Sequence, residues 1–410
     1  MKQVILLGAG ASVEADIKDA AAMTRQFADL FANKPTLSKQ SRALNYVIGG
    51  LMLQKGARGE NPYEGLNIED VFNAMDLLAE RTHFEAAPFI AGWHPVVEEL
   101  DAVLIQPFVK KEITVTSQQV NSSIGRNIDS EIAKMIKEGG KTPFSRVGEH
   151  CRKMIEDSLR NLKIEVSQGG ERPGGGKIFR STCDEMIREL VHLVWVEPSE
   201  SNRVQHLRPL VRHAFENEST IATLNYDNTI EVAANIENRL VYTEMGEVLS
   251  SEAEAEKAAE GQVHLLKLHG SINWCSIPDG SSGCLPGARI GRASKDEMLK
   301  PGYKPEVIFG QRNKLTAKGP FLRLLASFRS ALNEADNLVI IGYSFRDPHV
   351  NEYITRWFNN APETHSITVV TPDPQWAQRS EFAGHVSRLK NKVTLIQKGA
   401  GEAITELFGT

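Results

Sequence analysis

The stretch NLVIIGYSFRDPHVNEYITRWF, residues 337–358, contains a complete strand–turn–helix unit. Its first five residues include four apolar ones in succession, without polar alternation, which is typical of a strand covered on both faces in a parallel sheet. Gly342 then marks a turn. Asp347 followed by Pro348 predicts the start of a helix, with aspartate as the N-cap and proline in the first helical position. A strand that leads directly into a helix is the repeating unit of α/β proteins.

Six further apolar runs have a similar composition and predict further strands. They are residues 3–7, 220–224, 264–268, 305–309, 366–370 and 393–396. Helical patterns follow some of them: residues 319–336 carry an apolar stripe, and residues 373–390 repeat the Asp-Pro start at Asp373. The alternation of strands and helices predicts an α/β fold with a doubly wound parallel sheet.

The stretch between the first two predicted strands has a different pattern. Apolar residues recur there at helical spacing in residues 67–81, 144–162, 184–195 and 203–215. We therefore expect a large, mostly helical insertion, residues 36–218, in a Rossmann-like core made of residues 1–35 and 219–410. Two segments rich in glycine or charge, residues 167–177 and 250–261, predict solvated surface structure.

The composition argues against several classes of protein. The 410 residues carry a formal net charge of −5, whereas general nucleic-acid and anionic-membrane binders normally have a basic surface. The apolar run at the N-terminus is too short for a signal peptide, and no run reaches the roughly 18 residues of a membrane span. The 4 cysteines form no C-x-x-C pair, so neither a zinc site nor a disulfide framework is expected, and we expect a cytoplasmic protein.

Small and polar residues follow five of the predicted strands. In doubly wound sheets, ligands bind outside the carboxyl ends of the strands, so these residues form the candidate site. The five segments are 8–12 (GAGAS), 225–227 (NYD), 269–271 (HGS), 342–344 (GYS) and 371–373 (TPD). The glycines of the first segment favour close approach of backbone N–H groups to a phosphate, but a turn that only packs a helix against the sheet has the same sequence. Val13 stands where the dehydrogenase fingerprint needs its third glycine.

Four motifs at these strand ends, in this order, resemble those of the sirtuin superfamily. They are G-A-G-x-S at 8–12, T-x-N-Y-D at 223–227, L-H-G at 268–270 and G-Y-S-F-x-D at 342–347. The tyrosine of the second motif and the stretch IIGYSFRDPHVN resemble the bacterial sirtuin-like branch, which is similar to NAD-consuming effectors of anti-phage defence. The chain lacks the two C-x-x-C pairs and the cofactor-loop sequence of the protein deacetylases.

The resemblance implies that NAD is the substrate and that Asn225 and His269 are the catalytic pair. The chemistry agrees, because an amide suits the placing of a ribose hydroxyl or water, and an imidazole suits the accepting of a proton. Asp227 has two possible roles: it either acts in the site, by orienting Asn225 or holding the nicotinamide amide, or it caps the helix that follows. Asp347 is expected to act as a helix cap. Trp274 either lines the nicotinamide pocket or belongs to the core. The residues expected to bind NAD are Gly8, Ala9, Gly10, Ala11, Ser12, Asp227, Gly342, Ser344 and Asp373.

The predicted function is that of a NAD glycohydrolase, which releases nicotinamide and ADP-ribose and depletes NAD in anti-phage defence. Two alternatives stay open: an NAD-dependent deacylase or ADP-ribosyltransferase, and a non-catalytic scaffold that senses NAD or ADP-ribose. A homo-oligomer is expected, because unregulated NAD hydrolysis would harm the host. The resemblance extends to members partnered with a HerA-type hexameric ATPase. We expect no bound metal, no association with a membrane and no direct binding of nucleic acid.

Overall fold

The described strands form two sheets, one of seven parallel strands and one of three antiparallel strands. The computed structural model of the chain contains strands β1 (Gln3–Leu7), β2 (Thr220–Thr223), β3 (Val241–Tyr242), β4 (Val263–Lys267), β5 (Gly270–Ile277), β6 (Arg289–Arg292), β7 (Pro305–Val307), β8 (Asn337–Ile341), β9 (Ser366–Val370) and β10 (Val393–Ile396). The order in the large sheet is β10-β9-β8-β1-β2-β4-β3, which places the first strand at the centre.

The structure describes residues 2–62, 65–81, 176–244, 261–277, 289–300, 303–307, 320–378, 380–389 and 392–409, together with residues 97 and 100. Its helices are α1 (Ala20–Asn33), α2 (Ser38–Ala57), α3 (Ile68–Glu80), α4 (Lys177–Val194), α5 (Arg208–Glu216), α6 (Thr229–Ile236), α7 (Lys295–Met298), α8 (Pro320–Glu334), α9 (Pro348–Asn360), α10 (Glu381–Ser387) and α11 (Ala400–Phe408). Short 3-10 helices span Ala9–Ala15, Pro35–Leu37, Pro198–Leu207 and Trp376–Gln378.

Both faces of the large sheet are covered at its central strand β1. Val4 and Leu6 of β1 belong to a core cluster that also contains buried apolar residues of α8 and α9. Ile5 and Leu7, which point to the opposite face because side chains alternate along a strand, are only 0% and 2% exposed. The unalternating apolar sequence of β1 is therefore explained by burial on both sides. The α/β class with a doubly wound parallel sheet is confirmed.

The run at residues 305–309 does not belong to the parallel sheet, and that expectation is wrong. Its first three residues form β7, which pairs antiparallel with β5 in the small sheet. Strand β4 ends at Lys267, and His269 lies in the short turn that leads from it to β5. A short apolar run has the same appearance in either kind of sheet, so its composition alone cannot decide the pairing.

The predicted helix at residues 373–390 is also shorter than expected. Helix α10 begins at Glu381, and Ser380 is its N-cap, with the Ser380 hydroxyl accepting from Ala383 N at 3.1 Å. Asp373 closes a local turn, in which its carboxylate accepts from Gln375 N at 2.9 Å. The same Asp-Pro pair at Asp347 does begin a helix as predicted, since the Asp347 carboxylate accepts from the N–H groups of His349 and Val350.

All described elements between β1 and β2 are helical. They include α2, α3, α4 and α5, and α3 packs against α4 and α2. The predicted helix at 144–162, and residues 167–175 and 250–260 of the two predicted solvated segments, lie outside the described residues. The division into a core of residues 1–35 and 219–410 and an insertion of residues 36–218 stays a prediction.

None of the described helices has the length and hydropathy that a membrane span requires.

Candidate functional site

The carboxyl ends of five adjacent strands lie at one edge of the large sheet. Strands β9, β8, β1, β2 and β4 follow one another in the sheet, and Leu7 at the end of β1 pairs with both Thr223 and Ile341. The last residues of β4 and β9, Lys267 and Val370, pair with Thr223 and Ile341 in turn. The five polar segments predicted from the sequence therefore start from neighbouring points on one edge.

Asn225 is held by its amide nitrogen, and its amide oxygen has no hydrogen-bond partner among the described residues. Nδ2 donates to Gly8 O and to Ser12 Oγ, at 2.9 Å in each case. Because a carbonyl oxygen only accepts, the contact with Gly8 O fixes which end of the amide is the nitrogen. Both amide hydrogens are thus used within the protein, and Asn225 offers a ligand only an acceptor, Oδ1. An amide can in general both donate and accept, so the role left to Asn225 is narrower than its chemistry alone allows.

Ser12 links Asn225 to Asp227. The Ser12 hydroxyl is buried, accepts from Asn225 and donates to Asp227 Oδ2 at 2.8 Å. The other oxygen, Oδ1, accepts from the backbone N–H and the hydroxyl of Thr229 at 3.1 and 2.6 Å. Asn228 occupies the N-cap position of α6, yet the Asp227 carboxylate bonds the first turn of that helix. The Asp227 side chain therefore binds the start of α6 with one oxygen and orients Asn225 through Ser12 with the other.

His269 is 5% exposed and forms a close pair with Asp347. Its Nε2 atom lies 2.8 Å from Asp347 Oδ2. Asp347 Oδ1 accepts from the N–H groups of His349 and Val350, so one carboxylate oxygen caps α9 while the other holds the imidazole. A carboxylate only accepts, so Nε2 carries the proton of the neutral ring and Nδ1 keeps the lone pair. The capping prediction for Asp347 is confirmed, and its contact with His269 is additional.

The Nδ1 atom of His269 is buried and has no hydrogen-bond partner in the part of the chain that the structure describes. The Glu69 carboxylate, from the first turn of α3, lies 4.0 Å from it. The same Glu69 oxygen accepts from the Tyr226 hydroxyl at 2.7 Å, and the Tyr226 ring centroid is 6.3 Å from that of His269. Burial, followed by the Glu69 charge, raises the pKa of Tyr226 well above its usual range, so this tyrosine stays a donor.

The loop from Gly342 to Asp347 carries two residues with left-handed backbone, Gly342 at φ 66° and Phe345 at φ 58°. A bulky side chain in this region is costly and persists only where the surroundings hold it. Phe345 is 2% exposed, and its ring packs against those of Tyr343, Trp376 and Phe382. The Tyr343 hydroxyl also accepts from the Asp347 N–H at 2.9 Å. The packing of Phe345 and the hydrogen bond from Asp347 N–H to Tyr343 together fix the position of Asp347, which in turn holds His269.

Glycines allow the loops after β1 and β8 to touch through their backbones. Gly8 N–H donates to Ile341 O at 2.9 Å, and Gly10 N–H donates to Gly342 O at 3.0 Å. A Cβ atom at Gly8 would lie 2.6 Å from Gly342 O, and one at Gly10 would lie 2.7 Å from Gly342 Cα. Close packing of the two loops therefore explains the glycines at positions 8 and 10. Their backbone N–H groups, which a phosphate would use, already donate to backbone oxygens of Ile341 and Gly342.

Replacement of Gly342 by alanine is expected to lower the free energy of unfolding by about 1–3 kcal/mol, the cost of a forced left-handed residue. Its Cβ would also lie 2.5 Å from Ala11 N. The exposed helical Gly49 has nothing within 4 Å of a new Cβ, so Gly49→Ala should instead stabilise the protein by about 1 kcal/mol. Urea denaturation of both variants checks this, and equal effects would show that Gly342 tolerates a side chain.

Two other predicted binding residues lie at the same edge without contacts to Asn225 or His269. Ser344 is exposed, and Asp373 is half-buried and uses its carboxylate in the turn to Gln375. Ala9 is exposed, whereas Ala11 is buried. Binding of NAD by these residues and by Gly8, Gly10, Ser12, Asp227 and Gly342 stays a prediction.

Trp274 is fully buried and belongs to the core cluster with Phe321 and Leu324. This position agrees with the core alternative, not with a wall of an open pocket. In the parts of the chain that the structure describes, no group of three or more His, Cys, Asp or Glu side chains is placed to hold a metal ion.

Sequence reasoning missed three polar residues of the site. Glu69 lies 157 residues before its partner Tyr226 in the chain, and no local pattern marks it apart from the helix start at Asn67. Tyr226 and Tyr343 stand inside the quoted motifs, next to predicted site residues. The tyrosine in each of these two motifs is the only available signal in the sequence, and it does not reveal the contact between Tyr226 and Glu69.

The segment that contains Asn225, His269 and Asp347 can be compared with known families. Residues 219–391 match the family model of the SIR2-like domain. The chain is similar to this family over that segment, which supports the resemblance to the sirtuin superfamily. Ser12 and Glu69 lie outside the matched residues. No curated protein sequence matches the chain significantly.

Solved structures with similarity to the chain include a Sir2 homologue–NAD complex, with 12% identity, a TM-score of 0.32, and coverage of 56% of this chain and 73% of that one. A mutant Sir2 homologue in complex with ADP-ribose has 11% identity, a TM-score of 0.33, and coverage of 57% and 76%. Sir2 bound to an acetylated peptide has 11% identity, a TM-score of 0.33, and coverage of 57% and 77%. Because these similarities are low, the topology given above rests on the strand order of the chain itself.

Proposed function

We propose that this protein is a NAD glycohydrolase, in which Asn225 and His269 act on the bond between nicotinamide and ribose. The observation that carries the proposal is the placement of these two residues at one sheet edge, each held by its own buried partner. Asn225 is fixed through Ser12 and Gly8, and His269 is fixed through Asp347. The SIR2-like segment contains both residues, and solved structures of Sir2 homologues include complexes with NAD and with ADP-ribose.

The reaction needs a placed nucleophile and a proton acceptor. The bond between C1′ and the nicotinamide nitrogen breaks, its electron pair neutralises the ring nitrogen, and water adds to C1′ and loses one proton. Asn225 Oδ1, as an acceptor, suits the orientation of the water or of a ribose hydroxyl. The lone pair on His269 Nδ1 suits the acceptance of the proton. The products are nicotinamide, ADP-ribose and one proton.

The NAD-binding role extends to the strand ends around this pair. The proposal includes residues 8–12, Asp227, Gly342, Ser344 and Asp373 as the surface that holds the dinucleotide. It also includes NAD depletion in anti-phage defence, a homo-oligomeric assembly and a HerA-type hexameric ATPase as partner. These parts rest on the resemblance of the motifs at 8–12, 223–227, 268–270 and 342–347.

The experiment is a measurement of NAD consumption and product identity by chromatography, for wild type and for Asn225→Ala. Each is assayed alone and with proteins that co-purify from the native operon. We expect nicotinamide and ADP-ribose from the wild type and a kcat roughly 10²–10³-fold lower for Asn225→Ala, as for the loss of one positioned polar group in an active site.

Intact NAD in every wild-type assembly would overturn the glycohydrolase proposal. Binding of NAD without turnover would indicate a sensing scaffold. Transfer of label from NAD to a protein, or removal of an acyl group from lysine, would indicate the transferase or deacylase alternative.

A further inference from the structure

His269 lies between two carboxylates that come from different parts of the chain. Asp347, at the start of α9, lies 2.8 Å from Nε2, and Glu69, in the first turn of α3, lies 4.0 Å from Nδ1. The His269 and Asp347 side chains are 6% and 5% exposed and that of Glu69 is 23% exposed. Charges at these distances interact strongly when water is largely excluded.

The two carboxylates face nitrogens with different tasks. The contact with Asp347 puts the ring proton on Nε2, so Nδ1 is the nitrogen that can accept a proton from the reacting group. Once Nδ1 accepts it, the imidazole becomes a cation within 4.0 Å of Glu69 Oε1. We propose that Glu69 is a positioning residue of this site, whose carboxylate stabilises the proton that His269 Nδ1 takes up. This inference rests on the proposed function, because it assigns a role within that reaction.

Tyr226 keeps the Glu69 carboxylate in place. Its hydroxyl donates to Glu69 Oε1 at 2.7 Å, and this is the same oxygen that faces Nδ1. Tyr226 follows Asn225 directly in the chain, so the segment that presents the amide oxygen also positions the carboxylate. The backbone N–H of Glu69 donates to Asn67 Oδ1 at 3.0 Å, which fixes the start of α3.

Among the described residues, the titratable groups next to His269 are Glu69 on α3, Tyr226 after β2 and Asp347 after β8. Tyr343 contacts Asp347 from the same loop. Both tyrosines have a pKa well above the usual range, chiefly because they are buried and also because of the two carboxylate charges. They remain neutral at working pH, so the charges that balance a protonated His269 are those of Glu69 and Asp347.

The test is Glu69→Gln, which keeps an oxygen for the Tyr226 hydroxyl but removes the charge. We expect kcat for NAD hydrolysis to fall about 10- to 100-fold with KM within about twofold, because the stabilised charge exists only during reaction. The acidic limb of the kcat/KM profile should lie at lower pH in Glu69→Gln, because the variant lacks the negative charge 4.0 Å from the nitrogen that takes up the proton.

Asp70→Asn is the matched control, because it removes the same charge from the same first turn of α3 at an exposed position. It should leave both kcat and the acidic limb unchanged. Thermal melting of both variants checks that they fold. A Glu69→Gln enzyme with an unmoved acidic limb, or a control that moves it equally, would overturn the inference.

A second readout does not need turnover. In protein labelled with ¹⁵N-histidine, the ring signals that are absent from His269→Gln belong to His269. We expect the Nδ1 signal to change position in Glu69→Gln, which removes the charge 4.0 Å away, and to stay in place in Asp70→Asn. If this signal changes but no assembly hydrolyses NAD, the proposed function fails while the Glu69 contact stands. If NAD is hydrolysed but neither this signal nor the acidic limb changes, the function stands and the role of Glu69 is wrong.

Discussion

Replacement of His269 by alanine is expected to lower kcat for NAD hydrolysis by roughly 10²–10⁴-fold, the range for loss of a positioned general base. KM should change little, because the lost interaction belongs to proton transfer and not to binding. Nicotinamide release at saturating NAD measures the effect. A loss below tenfold with the same products would place the proton acceptor elsewhere in the site.

Asp347→Asn separates the two tasks of the Asp347 carboxylate. Asparagine is as good an N-cap as aspartate, so α9 should keep its start and the protein its melting temperature. The amide, however, does not reproduce the charged acceptor at His269 Nε2, which fixes the tautomer of the ring. We therefore expect most of the kcat loss of His269→Ala, on the order of 10²–10³-fold, in a folded protein.

Asp19→Asn is the matched control for this substitution. Asp19 is the N-cap of α1 and its carboxylate accepts from the N–H groups of Ala21 and Ala22. Asp19→Asn makes the same chemical change at an exposed helix start, so NAD hydrolysis should be unaffected. If Asp19→Asn and Asp347→Asn lowered kcat alike, the effect would come from helix capping and not from the contact with His269.

Six strands of the large sheet could be predicted because their apolar runs leave a direct mark in the sequence, whereas the two-residue strand β3 was not predicted. Residues 3–7, 337–341 and 366–370 are the full extents of β1, β8 and β9. Pairing could not be predicted in the same way, since the run 305–309 is mostly apolar but its first three residues form β7 of the antiparallel sheet. The two Asp-Pro pairs make the same point: each carboxylate bonds the N–H two residues ahead, but only at Asp347 does a helix follow directly.

The strand ends could be predicted from the sheet, but the surroundings of Nδ1 could not. In doubly wound folds ligands bind outside the carboxyl ends of the strands, so the sequence predicted that Asn225 and His269 belong to one edge of the sheet. Glu69 reaches the site only because α3 packs where it does, and no residue near position 69 encodes its contact with Tyr226 across 157 residues. Long-range packing of polar side chains therefore marks the limit of the sequence interpretation.

Replacement of Lys267 by methionine is expected to lower the free energy of unfolding by about 3–5 kcal/mol, the cost of leaving a buried charge without its partner. The Lys267 side chain is 0% exposed, and Nζ donates to Glu231 Oε1 at 2.9 Å and to the backbone oxygen of Asp227. Glu231 Oε2 is already buried, without a hydrogen-bond partner among the residues that the structure describes. Methionine fills the space of the lysine stem but leaves the Glu231 carboxylate uncompensated. Urea denaturation measures the loss.

A second substitution distinguishes an unpaired charge from lost packing. Lys267→Met combined with Glu231→Leu removes both charges, and replacement of a buried pair by apolar residues is often close to neutral. We expect the double variant to recover most of the stability lost by Lys267→Met. A double variant less stable than Lys267→Met would contradict this account, because packing would then outweigh the charge.

Lys398→Met is the control for loss of a lysine as such. Lys398 is 39% exposed and pairs with Glu402 and Glu406 on α11, so its loss should destabilise the protein far less than the loss of Lys267 does. The stable double variant at Lys267 and Glu231 also has a use for function. Lys267 donates to the backbone of Asp227, which orients Asn225 through Ser12. A folded double variant with lowered kcat would therefore show that this buried lysine positions the amide oxygen of Asn225 as well as stabilising the fold.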